Sequence, residues 1–589
     1  MTAVTTVVDL FRAPPRNGTS GWRFSLLALA IVGVGALMIW RLVSLQVLEP
    51  ERYIAHGENQ RIRSSDIFAE RGSIVDRQGV ELAVSVPRTS ISADPRLITD
   101  PAGTAEAIVA IAGGNVEQLT RRLSNPDAKF AWMARQVDDG VAAAILDLDL
   151  PGIYGKQEHA RLTPSGSDVA RGILGRTDID GNGVSGLERQ YDEALEGVNG
   201  SVVVERGLAT SDAKAVTIPD GRYEVVAPVR GDSLVLTIDR TVQFEVERLL
   251  ERTVAESDSA SGTVIVSRPR TGEILAMASV IQTDDGSVSV SSSNLALTSV
   301  IEPGSISKPL AMAALLEEEL ISPETQIEVT DEIEIYDRVF TDSVRHETSV
   351  LSAREVLESS SNVGMALLSD RLGKQRMHEY LGDFGIGAPT VLEFPGESSG
   401  IFHPVETWSG VALPSAAIGY GFAATPLQML RAYNVFANGG VLVEPHLVSG
   451  IMGDNGDFTI LSPRDNRRVI SEDTADTVSE LLAGVVRDGT GRLASIEGYE
   501  IAGKTGTARI AQPAGGYEDE NGEVHLRTSF AGYLPAADPE LSVIVVIEDP
   551  AGESSGGRLA APLFGEISNF ALQHFRIPPA SRTVGALNG

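Results

Sequence analysis

Gly503-Lys504-Thr505-Gly506-Thr507 decides how this chain is read. Glu500-Ile501-Ala502 before it and Ala508-Arg509-Ile510 after it make one apolar-flanked run, which predicts a β-strand. Lys504, Thr505 and Thr507 put a cation and two hydroxyls on that strand, and Gly506 permits close backbone approach. An edge so equipped suits the carboxylate of an extended peptide. Taken alone, the same residues would be a surface lysine on a strand.

Working outward, Glu302-Pro303-Gly304-Ser305-Ile306-Ser307-Lys308-Pro309 opens an apolar stretch, Leu310 to Leu320, with helical character. Ser305 then falls at a helix N-terminus, where free N–H groups and the helix dipole favour developing negative charge. Lys308, three residues on, shares its helix face. A serine hydroxyl needs a base to become a nucleophile, and a lysine of lowered pKa can serve. The four-residue pattern is weak by itself, for Ser211-Asp212-Ala213-Lys214 repeats it in a glycine-broken region that reads as a turn.

Ser359-Ser360-Ser361-Asn362 leads into a further helical run, Val363 to Leu372. Serines and asparagine at such a place would ordinarily be capping residues. The functional alternative has Ser360 relaying a proton and Asn362 holding a substrate amide. A second serine–asparagine pair, Ser292 and Asn294, is explained by loop structure. In the order SxxK, SxN, KTG, each in a fitting context, the three motifs form the set shared by serine β-lactamases and penicillin-binding proteins.

Composition narrows the alternatives. The chain has 589 residues, enough for several domains. Its 80 acidic against 48 basic residues give a net charge of −32, which argues against a nucleic-acid binder and fits a solvated acidic surface. The absence of cysteine excludes disulfides, thiol nucleophiles and Cys-ligated metal sites. The eight histidines show no metal-binding spacing, which disfavours a His-based metal site, and the resemblance to the penicillin-binding proteins implies that neither metal nor cofactor is needed.

Phe24 to Trp40 carries no charge, and Leu42 and Val43 extend the apolar run if Arg41 snorkels. Trp22 and Trp40 mark its ends. Arg12, Arg16 and Arg23 precede it, so the positive-inside bias places the tail in the cytoplasm and the rest outside. A cleaved signal peptide lacks a suitable small-x-small site after the run, and a buried core helix would be unusual with these basic flanks. The expected division is a cytoplasmic tail at 1–22, a transmembrane helix at 23–43, a β-rich stalk at 44–230, a catalytic domain at 231–575 and a loose tail at 576–589. Within the stalk, residues 44–70 read as a helical stem entering an extended segment. Asp76 to Gly79 reads as a turn, and Ala105 to Ala112 and Val141 to Leu148 as helices. Leu187, Tyr191 and Leu195 mark one helical face, and Asp239 caps a helix beginning at Arg240.

Further stretches resemble the class B penicillin-binding proteins, the monofunctional transpeptidases of the bacterial wall, most of all the septal, FtsI-type branch. In the stalk these are Arg61-Ile62-Arg63, Glu70-Arg71-Gly72-Ser73-Ile74-Val75-Asp76-Arg77 and Gly183-Val184-Ser185-Gly186-Leu187-Glu188. Beyond it they are Ile418-Gly419-Tyr420-Gly421, Thr425-Pro426-Leu427-Gln428, Ala437-Asn438-Gly439-Gly440, Phe530-Ala531-Gly532-Tyr533 and Ala560-Ala561-Pro562-Leu563-Phe564. The resemblance implies an α+β fold. A penicillin-binding/serine β-lactamase-like transpeptidase domain, an antiparallel sheet with helices on both faces plus a helical subdomain, would stand on an elongated β-rich stalk.

It implies acylation of Ser305 by a D-alanyl-D-alanine stem peptide, with Lys308 as base and Ser360 and Lys504 in the proton relay. Asn362 would hold the substrate, the N–H groups of Ser305 and Thr507 would form the oxyanion hole, and Thr505 and Thr507, with Gly506 between them, would bind the terminal carboxylate. A second peptide's amine resolves the acyl-enzyme, β-lactams mimic the donor, and an FtsW-type glycosyltransferase and other division proteins are the implied partners. One segment departs from the family pattern: Ser554-Ser555-Gly556-Gly557-Arg558 stands where Tyr-Gly-Gly is common. A β-lactamase or penicillin sensor of the same superfamily, and an inactive division scaffold, are the competing readings. Division against elongation, and a diaminopimelate against a lysine acceptor, stay open on sequence.

Overall fold

The structure is a computed structural model that describes residues 21–48, 51 and 61–579, except 165, 167, 168, 206, 208–217, 219, 220, 462–465, 514 and 553. Its contacts divide the chain into two compact units, one of residues 1–67 and 199–228, the other of 68–198 and 229–589.

The first unit contains the apolar helix Gly21–Val43, which runs on through Ser44–Leu48. The most apolar 18-residue window of these 28 residues has a mean hydropathy of 2.3 and no buried side chain. At 1.5 Å per residue the helix is about 42 Å long, enough to cross a bilayer. It is the one helix among the described residues with that length and composition. Most of the predicted stem beyond it, 49–50 and 52–60, lies outside the described residues, as do 1–20 of the tail and 580–589 at the other end. The extended segment is present as the strand Ile62–Ile67, paired antiparallel with Gly200–Glu205, which in turn pairs with Tyr223–Val226.

In the second unit a seven-stranded sheet joins distant stretches of sequence. Its order is Phe458–Ile460, Val448–Met452, Ser233–Leu236, Ile74–Val75, Glu81–Ala93 and Ala131–Val137, with Ile153–Leu162 also on Glu81–Ala93. Ile74–Val75 runs parallel to Leu234–Val235. The predicted turn follows it: the Asp76 carboxylate accepts the N–H groups of Gln78 and Val80 at 2.8 and 2.9 Å. Helices Pro101–Ala112, Val116–Leu123 and Asp139–Leu146 pack Ala105, Ile108, Leu119, Leu123, Ala142 and Ile145 against Ile91, Ala93 and Met133. The helical spacing of this region thus survives into the fold. The stretch through Leu187 and Leu195 forms two short helices, Gly186–Gln190 and Asp192–Glu196, meeting at Tyr191.

The second sheet has six antiparallel strands: β1 (Ser261–Ser267), β2 (Ile274–Gln282), β3 (Val288–Val290), β4 (Ala502–Arg509), β5 (Leu526–Leu534) and β6 (Leu541–Glu548), in the order β3-β2-β1-β6-β5-β4. Their side chains alternate between two cores, as period-2 geometry requires. Val264, Val266, Val543, Val545 and Ile547 pack with α1 (Arg240–Glu256) and the C-terminal helix Ala561–His574. Ile265, Ile544 and Val546 face the larger core of α2 (Lys308–Glu317), α3 (Asn362–Ser369), α4 (Pro426–Ala437) and α5 (Glu472–Arg487). Asp239 caps α1 as predicted, accepting from the N–H groups of Thr241 and Val242. All of α4 is buried, and its start, Thr425 to Gln428, is a reciprocal capping box. The expected α+β architecture, with helices on both faces of an antiparallel sheet and a single N-terminal apolar helix, is the one found.

A buried ion cluster ties two of the stalk landmarks together. Glu188, 2% exposed, accepts from Arg71 Nε and Arg161 Nε, both at 2.7 Å. Arg71 also reaches Asp192 and the Glu188 carbonyl, and Arg161 the Gly72 carbonyl. Removing the carboxylate would leave Arg161 without its Glu188 counter-charge away from water and Arg71 with Asp192 alone. Glu188→Ala is therefore expected to destabilise the protein by ~3 kcal/mol or more; a loss below ~1 kcal/mol in urea unfolding would show that the cluster holds nothing together.

Candidate active site

The nucleophile segment is built as a single 3-10 turn, Gly304–Ser307, running directly into α2. Ser305 is half-buried on it, one turn earlier than the start of the α-helix proper. Two contacts fix this turn. Tyr433, fully buried on α4, donates its hydroxyl to the Ile306 carbonyl at 2.8 Å. Gly304 donates its N–H to the Gly419 carbonyl at 3.0 Å, and a Cβ on Gly419 would stand 2.0 Å from the Gly304 carbonyl oxygen. The Ile418–Gly421 landmark is thus a seat for the nucleophile turn.

The predicted Gly503–Thr507 strand is β4, an edge of its sheet, paired with β5 from Ala502↔Tyr533 to Arg509↔Leu526. A Cβ on Gly506 would meet Ser529 Oγ at 2.3 Å and Ile306 Cγ2 at 3.0 Å. The close approach that Gly506 permits is therefore made by the nucleophile segment itself. Thr505 and Thr507 face the other way, into a cleft of about 720 Å³ that they share with Ser305, Ser360 and Asn362. The Thr507 hydroxyl accepts the Gly556 N–H at 3.1 Å, which leaves its own hydrogen free to donate. Thr505 Oγ1 lies 2.7 Å from Thr490 Oγ1.

The serine–asparagine segment caps a helix and also meets Lys308. Ser361 is the N-cap of α3, accepting from the Gly364 N–H at 2.8 Å. Ser360 is turned out of the regular path, with a left-handed φ of 60° that a non-glycine residue rarely adopts. The Lys308 ammonium donates to the Ser360 carbonyl at 2.5 Å, to its hydroxyl at 3.2 Å and to Asn362 Oδ1 at 2.8 Å. Asn362 Nδ2 donates to the Thr341 carbonyl at 2.8 Å. The fold thus gathers Ser305, Lys308, Ser360, Asn362, Thr505 and Thr507 around one cleft, with Gly506 behind the strand. Lys504 is fully buried beside them and donates to the Thr505 carbonyl at 3.1 Å; no hydrogen bond links it to Ser360. Ser292 and Asn294 lie apart from this group, Asn294 at the start of the short helix Leu295–Thr298. The second SxxK copy, Ser211 to Lys214, is outside the described residues.

Burial dominates the electrostatics. It pushes Lys308 down from its ordinary value to about 7, partly opposed by the Asp342 carboxylate. Lys504 is held well below its ordinary value by burial and by the charge of Lys308.

Asp342 was not singled out from the sequence. One carboxylate oxygen accepts the N–H groups of Asn362 and Val363 at 2.5 and 3.0 Å; the other accepts from Ser361 Oγ at 2.7 Å. It caps α3 from twenty residues away, where a local pattern search has no purchase. His346 completes the knot, with Nε2 3.1 Å from Asp342 and Nδ1 2.8 Å from the Glu347 carbonyl. Only the imidazolium can donate through both nitrogens, and these two hydrogen bonds, the carbonyl's first, raise the His346 pKa.

Known proteins match this arrangement along most of the chain. Residues 262–569 fit the penicillin binding protein transpeptidase domain, and 66–236 the penicillin-binding protein dimerisation domain. The chain belongs to the class B penicillin-binding proteins. It is 33% identical to the penicillin-binding protein PbpB of Mycolicibacterium smegmatis over 93% of this chain and 90% of that one. It is 32% identical to the peptidoglycan D,D-transpeptidase FtsI of Escherichia coli, covering 96% and 94%. The crystal structure of penicillin binding protein 3 of Mycobacterium tuberculosis, complexed with aztreonam, superposes with a TM-score of 0.66 at 28% identity, covering 87% of this chain and 99% of that one.

In this penicillin-binding protein, Asp342→Ala should remove the oxygen that accepts two N–H groups of α3 and loosen the Asn362 side of the cleft. The expected cost is ~1–2 kcal/mol of stability and an acylation rate with benzylpenicillin about 10–100-fold lower. Asp342→Asn, which keeps one acceptor oxygen, should recover part of both. Melting curves and stopped-flow acylation check this; an alanine variant as fast as wild type would free the site from Asp342.

Proposed function

We propose that this protein cross-links peptidoglycan stem peptides as a D,D-transpeptidase of the septal type, with Ser305 as its nucleophile. The observation that carries the reading is the Lys308 amine, buried against Ser360 and Asn362 in the cleft that Ser305 enters. With its pKa near 7, a large fraction of Lys308 is neutral at physiological pH and able to take the Ser305 proton. Two buried lysines in each other's field do not both hold a full charge, so Lys308 and Lys504 titrate as a coupled pair, with the Ser360 hydroxyl hydrogen-bonded at the Lys308 end. The N–H groups of Ser305 and Thr507 then receive the oxyanion, and the Thr505 and Thr507 hydroxyls the terminal carboxylate.

Ser305 Oγ forms an ester with the penultimate D-alanine carbonyl. The C–N bond to the last D-alanine breaks, and the serine proton leaves on that amine. A second peptide's amine replaces the serine in turn. β-Lactams acylate the same serine, in keeping with the aztreonam complex of the related mycobacterial protein.

The class B resemblance and the positive-inside bias support the wider setting of this proposal. The tail at 1–22 is cytoplasmic, 23–43 spans the membrane, 44–230 is the stalk, 231–575 the catalytic domain and 576–589 a tail. An FtsW-type glycosyltransferase and other division proteins are its partners in the membrane.

A fluorescent penicillin should label the wild type and not Ser305→Ala. The labelling rate should rise with pH through about 7, as Lys308 gives up its proton. Lys308→Arg should lower it by about 10²–10⁴-fold. A label on the alanine variant would unseat the nucleophile, and a flat profile between pH 5.5 and 8.5 would unseat the base. Slow release of the bound drug separates a transpeptidase from a β-lactamase.

A further inference from the structure

On the Asn362 side, the wall of the cleft is a loop, residues 342–348, between the strands Arg338–Thr341 and Ser349–Ser352. Its Ser343 and Val344 line the cleft with Ser305, Ser360 and Asn362. Val344 is 74% exposed, and neither residue makes a hydrogen bond among the described residues. Their place therefore depends on how the loop is tied around them. The Asp331 carbonyl accepts the Asp342 N–H at 3.1 Å, and the Asp331 carboxylate accepts the His346 N–H at 3.3 Å. The His346 ring then closes the loop across Ser343 and Val344, with Nε2 3.1 Å from the Asp342 carboxylate.

That closure needs a proton. His346 Nδ1 lies 2.8 Å from the Glu347 carbonyl, and neither this oxygen nor an ionised carboxylate can donate. The imidazolium satisfies both partners; a neutral ring turns a lone pair toward one of them. The charged groups that act on the ring are Asp342 and Asp331, and both favour its cation. Among the described residues no lysine or arginine forms an ion pair with either carboxylate.

Asp342 also acts on Lys308 of α2, whose charge it favours. Lys308 and His346 thus share one anion while needing opposite states. The amine must be neutral to take the serine proton, and the ring must be charged to hold the loop. A charged His346 offsets the pull of Asp342 on the Lys308 proton, so each requirement supports the other.

We infer that His346 is a positioning residue for acylation, a proton-dependent clasp that holds Ser343 and Val344 against the acyl donor in the cleft. With the proton in place both ring hydrogen bonds are made. Without it one is lost, and the wall beside Asn362 loosens. Because these bonds raise the pKa of the ring, the clasp is complete below the ordinary imidazole range and is lost as pH rises through the raised value. This rests on the transpeptidase reading and adds a residue to its first half-reaction.

The test follows the rate at which benzylpenicillin acylates the full-length protein from pH 6 to 9, at a temperature well below melting. Wild type is compared with His346→Gln, which can still donate one hydrogen bond but carries no charge at any pH. The wild type should be about three- to tenfold faster near pH 6, and the ratio should fall toward one near pH 9. The titration of Lys308, common to both proteins, largely cancels in that ratio. His346→Arg, whose charge does not titrate, should gain on the wild type as pH rises. A wild-type to glutamine ratio that stays constant across the range, as a merely structural histidine would give, overturns the clasp and leaves the transpeptidase reading intact. An arginine variant at a fixed ratio to wild type overturns it too, and decides the matter if the glutamine protein does not fold. A wild type that penicillin labels at no pH would overturn both readings.

Discussion

Lys308 and Lys504 lie fully buried, each within the field of the other, and the rest of the catalytic half is arranged around that fact. Two desolvated ammonium groups side by side are strongly unfavourable unless protons leave or acceptors close in. The protein does both. Three oxygens, two from Ser360 and one from Asn362, surround the Lys308 amine. Asp342 adds a compensating charge nearby, and the Thr505 carbonyl meets Lys504. What remains is an amine that gives up its proton near neutrality.

Holding that arrangement requires the nucleophile turn and the strand to touch through their backbones. Gly506 has no room for a side chain because Ile306 and Ser529 occupy the space, and Gly419 has none because Gly304 does. Tyr433 pins the same turn from within the wholly buried α4. Several motifs that identify the family are thus pieces of one packing problem, the placement of Ser305 against β4.

The parts of this picture legible in the sequence are those with local periodicity or local chemistry. The Gly503–Thr507 run became β4, the helical spacing at Ala105–Ala112 and Val141–Leu148 became helices over a small core, and Asp239 capped the helix assigned to it. Gathering Ser305, Lys308, Ser360, Asn362 and the Thr505–Thr507 strand needed only their order along the chain. The 3-10 form of the nucleophile turn was hidden, because it is set by Tyr433 and Gly419, both more than a hundred residues away. The left-handed Ser360 was hidden too, since three serines in a row give no sign of which one bends toward Lys308. Asp342 escaped for the same reason: its partners are close in space only.

The seven-stranded sheet carries a different lesson. Ser233–Leu236, which closes the stretch matching the dimerisation domain, has Ile74–Val75 on one side and Val448–Met452 on the other. Cutting the chain near residue 230 would strip away the first of these and leave a row of unpaired N–H and C=O groups, the kind of bare strand that recruits other molecules. The two halves are therefore not interchangeable cassettes. A recombination event joining this catalytic half to a foreign stalk would inherit an open sheet unless the newcomer brought a strand in the same register.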